Sequence, residues 1–168
     1  MDRTLKDIER TFSEDTLLVT KTDLKGIITY ANHAFINIVQ MDEDTLIGSA
    51  HNVIRHPDMP KIIFKLLWSY IQDGKEIHAY VKNCCADGSF YWVMANVTPS
   101  YDTQTHTQII GYHSSRRVAN PKALEIIKPL YEKLLSAEKT GGMGASERML
   151  NNLLKEKGIS YDEFVLSI

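Results

Sequence analysis

Apolar positions along the chain change period several times, and each change marks an element. Leu5, Ile8 and Phe12 fall at i, i+3 and i+7, which predicts a short amphipathic helix over residues 3–13. It is expected to cover an apolar sheet surface or to form a dimer contact. Two β-rich runs follow, residues 16–20 and 26–30, on either side of the turn residues Asp23-Leu24-Lys25-Gly26. Asn32 then stands as an N-cap before a helical run through Phe35, Ile36 and Val39. Residues 42–48 read as one short capped turn. Residues 49–60 are polar and irregular, and Pro57 and Pro60 fall within them. From Lys61 to Ile71 the period is helical again, with Ile63, Leu66, Leu67 and Tyr70 on one face and Asp73-Gly74 as the stop.

Three strands are expected next: residues 77–84, 90–98 and 108–116, separated by the turn Ala86-Asp87-Gly88-Ser89 and by a Thr- and Asp-rich loop. Alternation places Asn83 with Ala79 and Val81, and Tyr91 with Val93, Ala95 and Val97. Trp92 falls on the other face of its strand and is expected under the N-terminal helix or a partner. Asn120-Pro121 opens a helix to about Ala137, Gly141-Gly142-Met143-Gly144 reads as a flexible joint, and residues 146–157 form a further helix ended by Gly158. Ser160-Tyr161-Asp162-Glu163 has the form of a capping box. The class implied is α+β, an antiparallel sheet with helices on one face.

Composition narrows the function. The 168 residues are 43% hydrophobic, enough to bury a core, and the net charge of -2 argues against bulk electrostatic binding of nucleic acid. No stretch reaches the ~18 consecutive apolar residues of a membrane span, and the charged start lacks the apolar centre of a signal peptide. The only cysteines, Cys84 and Cys85, are adjacent, which suits a reducing, cytoplasmic setting better than a disulfide framework. The six histidines have no HExxH-type spacing, so no metal site is expected, and no triad, phosphate loop or dinucleotide fingerprint appears. No catalytic residue and no enzyme activity are expected.

The element order matches the PAS fold, and particular residues go further. His51-Asn52-Val53-Ile54-Arg55-His56-Pro57-Asp58-Met59-Pro60, then Trp68, Val81-Lys82-Asn83 and Tyr91-Trp92-Val93 with Ala95-Asn96, resemble PAS domains of the aerotaxis-receptor type over roughly residues 14–135. The resemblance implies a five-stranded antiparallel PAS sheet with short helices on one face, an N-terminal cap helix over 1–13, the sensor domain over 14–118 and a helical extension over 119–168. It also implies non-covalent FAD and a report of redox state. A stand-alone form without the receptor's own signalling module is expected, similar to the PAS half of a two-protein energy-taxis receptor. The expected partner is a membrane-bound methyl-accepting chemotaxis-type protein, which would recruit this cytoplasmic chain to the inner face of the membrane. Homodimerisation through the N-terminal helix or the sheet face is a further expectation.

The site residues implied are Asn32, His51, Arg55, His56, Asp58, Trp68, Asn83 and Tyr91. Asn83 would meet the flavin ring edge, as a similar NxxxxGxxxW pattern does in flavin light sensors of this fold; Asn32 would add a second polar contact or simply cap its helix. Trp68 would wall the ring and exclude water. Arg55 would meet the diphosphate, with His56 beside it, Asp58 orienting either of them and His51 as a weaker member. Tyr91 lies on the strand face turned to the pocket. The cysteines do not support light-driven adduct chemistry. Two other readings stay open: a haem-binding gas sensor using one histidine, and a cofactor-free PAS module that dimerises or docks.

Overall fold

A computed structural model of the chain describes residues 4–168. Five strands form one antiparallel sheet: β1 (Leu18–Thr22), β2 (Ile28–Ala31), β3 (Ile77–Cys84), β4 (Phe90–Tyr101) and β5 (Ile109–Val118), in the order β2-β1-β5-β4-β3. Between β2 and β3 run α1 (His33–Val39), α2 (Glu43–Leu46), a 3-10 turn (His51–Ile54) and α3 (Lys61–Gln72). Asn32 caps α1 by accepting from the Phe35 amide at 3.1 Å. After β5 come α4 (Pro121–Lys157) and α5 (Tyr161–Leu166).

Register builds the inner face in rows across the strands. Leu18, Arg116, Ala95 and Ala79 make one row, Thr20, Ser114, Val97 and Ile77 the next, and Asn83 stands opposite Tyr91. Phe35, Val39, Leu46, Ile54, Ile63 and Ile71 close over this face from the helices. On the outer face, α4 covers β3 and β4. The Trp92 ring lies 6.2 Å from that of Tyr131, with the Lys128 ammonium 5.8 Å above it. The Tyr131 hydroxyl donates to the Tyr80 carbonyl at 2.8 Å and shares a 2.8 Å hydrogen bond with the Tyr161 hydroxyl of α5.

Three expectations are corrected. Residues 4–13 form no helix. They run extended beside the start of β4, where the Lys6 amide donates to the Gly88 carbonyl, the Phe90 amide to the Ile8 carbonyl and the Arg10 amide to the Phe90 carbonyl. Pairing with an open backbone edge outcompetes a helix too short to be stable alone, and Leu5 and Ile8 stay about half exposed (45% and 56%); residues 1–3 of the expected helix lie outside the described residues. Trp92 is therefore covered by α4 rather than by an N-terminal helix. The Gly-rich joint is helical apart from Gly142, whose φ of 70° and ψ of -178° kink α4. Leu150, Tyr161, Phe164 and Val165 beyond the kink are buried against the body of the protein. The Asn120 and Ser160 caps form as expected.

Both edges of the sheet are engaged. On β3, the His78 amide donates to Asp162, the Lys82 amide meets the Met59 sulfur at 3.2 Å, and Asn83 pairs with Arg55 in an isolated bridge. On β2, the Ile28 amide donates to the Ser49 carbonyl and the Gly48 amide to the Ile28 carbonyl, both at 2.9 Å.

Candidate functional site

A cavity of about 240 Å³ lies between the inner sheet face and α3. Strands β1, β3, β4 and β5 supply Thr20, Val81, Asn83, Ala95, Ser114 and Arg116, while α3 supplies Phe64, Leu67, Trp68 and Ile71. Lys25, Gly26, His51, Asn52 and Arg55 also line it, and Lys25 and Asn52 are solvent-exposed, which puts them at its open side. The Trp68 indole meets the Tyr112 ring edge-on at 5.5 Å. It also packs against Gly26, where a Cβ would come within 3.1 Å of the ring.

Charge on this lining is one-sided. Lys25, Arg55 and Arg116 are cationic and no lining residue is acidic, although the chain as a whole is slightly negative. Arg116 is only 3% exposed and has no carboxylate partner among the described residues. Its Nη2 donates to Thr20 Oγ1 at 2.7 Å and to His51 Nε2 at 2.6 Å. The Phe35 ring lies 5.2 Å from the guanidinium carbon. Burial pulls its pKa down to about 10, and its Nη1 has no hydrogen-bond partner among the described residues. Burial and the Arg116 charge together push His51 down to about 3, so its imidazole is neutral and accepts from the guanidinium.

Among the described residues two more buried polar atoms lack partners, Ser114 Oγ on the cavity lining and the Tyr91 hydroxyl off it. Tyr91 is fully buried, which raises its pKa, while the Arg116 charge opposes the rise. Asn83 faces it across the strands without forming a hydrogen bond of good geometry. Unpaired buried donors and acceptors are costly, and the two on the lining, Arg116 Nη1 and Ser114 Oγ, mark where a polar ligand edge would supply the missing partners.

Four of the expected residues, His51, Arg55, Trp68 and Asn83, line the cavity together, and Tyr91 lies behind Asn83. Arg55 stacks on Phe64, its guanidinium carbon 3.8 Å from the ring centre. Three residues lie elsewhere. Asn32 spends its side chain on backbone, accepting from the Val19 and Phe35 amides and donating to the Leu17 carbonyl. His56 is buried against Phe90 and accepts from the Asp58 amide. Asp58 pairs with Lys82 at 2.7 Å on the surface. Arg116, Ser114, Thr20, Lys25 and Asn52 were missed by sequence reasoning. The available signal was alternation counted along Tyr112-His113-Ser114-Ser115-Arg116, which turns Tyr112, Ser114 and Arg116 to one face.

Comparison with known proteins agrees with this architecture. Residues 28–113 match the family described as PAS fold. The aerotaxis receptor of Escherichia coli strain K12 is 36% identical over 146 residues, 87% of this chain. The chain spans only 27% of that receptor's length. Among solved structures, the PAS domain of a Colwellia psychrerythraea protein superposes with a TM-score of 0.55 at 19% identity, covering 61% of this chain and 86% of that one. A light-oxygen-voltage domain studied with a flavin analogue superposes with a TM-score of 0.58 at 13% identity, covering 70% of this chain and 86% of that one. The chain belongs to the PAS family, and within it to the PAS domains of the aerotaxis-receptor type. No helix among the described residues is long and apolar enough to cross a membrane.

Proposed function

We propose that this chain is an FAD-binding PAS redox sensor that signals aerotaxis or energy taxis to a membrane-bound methyl-accepting chemotaxis-type partner. The observation that carries the reading is Arg116, a buried cation with a free donor at the floor of a cavity walled by Trp68 and lined by no acid. The donor set fits a flavin. Arg116, Ser114 and Asn83 match the carbonyl- and nitrogen-rich edge of the ring, and Trp68 and Phe64 match its faces. Lys25 and Arg55 supply positive charge for the diphosphate. The volume of about 240 Å³ falls below the ~300–1,000 Å³ typical of whole-ligand pockets, which suits a ring whose attached chain leaves through the open side. The likeness to an aerotaxis receptor and to a domain studied with a flavin analogue supports the same reading.

When bound, the flavin supplies reversible electron uptake. The protein's part is to exclude water through Trp68 and Phe64 and to hold a fixed positive charge at Arg116. Arg116 and Asn83 would hold the oxidised and reduced forms with different strength, and such a difference between redox states is what shifts a population. Haem finds a poorer site, because His51, the histidine on the lining, already uses Nε2 to accept from Arg116.

Absorbance of the purified protein tests the reading, before and after dithionite. Flavin bands at ~370 and ~450 nm that bleach on reduction are expected. A Soret band, or a protein that stays colourless after incubation with FAD, overturns it.

A further inference from the structure

The N-terminus of α3 is capped by a residue 77 positions away. Pro60, at the N-cap, supplies no side-chain hydrogen bond. Glu138 of α4 does so instead: Oε2 accepts from the Lys61 amide and Oε1 from the Ile62 amide, both at 2.9 Å. The same Oε1 accepts from Ser146 Oγ at 3.0 Å, a residue returned to Glu138 by the kink at Gly142. One turn further along α3, Lys65 pairs with Glu147 at 2.7 Å. One carboxylate thus fastens the two halves of α4 to the first turn of α3.

The same helix supplies one wall of the cavity through Phe64, Leu67, Trp68 and Ile71. Arg55, stacked on Phe64, also feels the Glu138 charge, which counters the effect of its partial burial. Without an external cap, α3 would begin with unpaired amides, and its first turn would fray toward Phe64.

We propose that Glu138 is a positioning residue for the cavity, holding α3 so that Phe64 and Trp68 stay in place, and that docking of the C-terminal helices and filling of the cavity therefore stabilise each other. The choice of FAD as probe rests on the function proposed above. Coupling between two sites is reciprocal: if a docked tail tightens ligand binding, bound ligand must tighten the tail by the same factor.

The test is amide exchange and FAD titration on the full chain, comparing Glu138→Ala and the milder Glu138→Gln with the unaltered protein. Glu138→Ala is expected to weaken FAD about tenfold, within the usual range of coupling between sites, and Glu138→Gln by less, since it keeps one carbonyl acceptor. FAD should slow exchange in residues 143–168 of the unaltered protein, and this protection should vanish in Glu138→Ala. A merely stabilising residue would leave that ligand-dependent protection intact. Equal FAD affinity in all three proteins, or a tail indifferent to FAD, overturns the proposal. If the unaltered protein binds no FAD, the functional reading fails, and ligand-free exchange still judges Glu138. Residues 61–68 should then exchange faster in both variants while β3–β5 do not change, and unchanged exchange over 61–68 overturns the proposal.

Discussion

The two faces of the sheet are built on opposite rules. On the outer face, polar side chains that meet α4 and α5 find partners. Tyr131, Tyr161 and the Tyr80 carbonyl form one chain, and His78 sits between Asp162 at 3.0 Å and Asn96 at 2.9 Å. On the inner face, Arg116, Ser114 and Tyr91 are buried as well, yet each keeps an unpartnered atom, and Arg116 and Ser114 wall a void. A covering that belongs to the chain can be matched group by group during folding. A covering that arrives from outside leaves its partners waiting, and the folded protein carries that cost.

Substituting Arg116 should break the contrast most sharply. Arg116→Met removes a buried charge that has no counter-ion, so the ligand-free protein should hold or gain stability in urea. FAD affinity should fall by a factor of ten or more, about 1.4 kcal/mol per tenfold. Loss of stability with unchanged affinity would mean that the guanidinium is structural, and that the inner face is no different from the outer.

Gly142→Ala is expected to come next. A φ of 70° with ψ near 180° is open to glycine and strained for alanine by about 1–3 kcal/mol. The loss should appear as weaker docking of residues 143–168, read by faster limited proteolysis there. Tyr131→Phe should cost about 1–2 kcal/mol, because it leaves the Tyr80 carbonyl and the Tyr161 hydroxyl short of a partner. Direct contact with the cavity is not involved, so FAD affinity should move far less than in Arg116→Met.

The smallest effect is one of pH. His51 binds its proton at about 3 in the folded protein against an ordinary 6.5. Between these values the unfolded chain holds more protons, so stability is present above 6.5 and is lost as pH falls toward 3. From pH 7 to pH 6 the loss should stay below about 1 kcal/mol. Urea unfolding of His51→Gln should show a flatter profile over that range, and Arg116→Met should also flatten it by removing the second cause of the shift. An unchanged slope in His51→Gln would assign the pH dependence to other groups.

Much of this arrangement was legible in the chain. Strand periodicity located all five strands, and alternation placed Asn83, Ala95 and Val97 on the cavity side, because a period of two leaves a side chain only one choice of face. Trp68 and the HNVIR segment were found through resemblance rather than spacing. The residues that were missed share a cause. Ser114-Ser115-Arg116-Arg117 is polar on both faces, so no hydrophobic contrast says which side is inside. Residues 4–13 show helical spacing, but an edge supplied by residues 88–90, far along the chain, decided their conformation. Gly142 alone among the joint glycines bends, a choice fixed by what the tail packs against.

The closed margins of the sheet carry one more consequence. A bare strand edge is a template on which other chains can add, and it is the usual starting point of cross-strand aggregation. Here Asp162 and Met59 take the His78 and Lys82 amides of β3, the Tyr131 hydroxyl takes the Tyr80 carbonyl between them, and residues 48–50 lie along β2. The sheet therefore cannot lengthen sideways while these contacts hold. Any companion it acquires must meet it across a face or through its helices, and a destabilised tail would uncover a sticky margin as well as a loosened cavity.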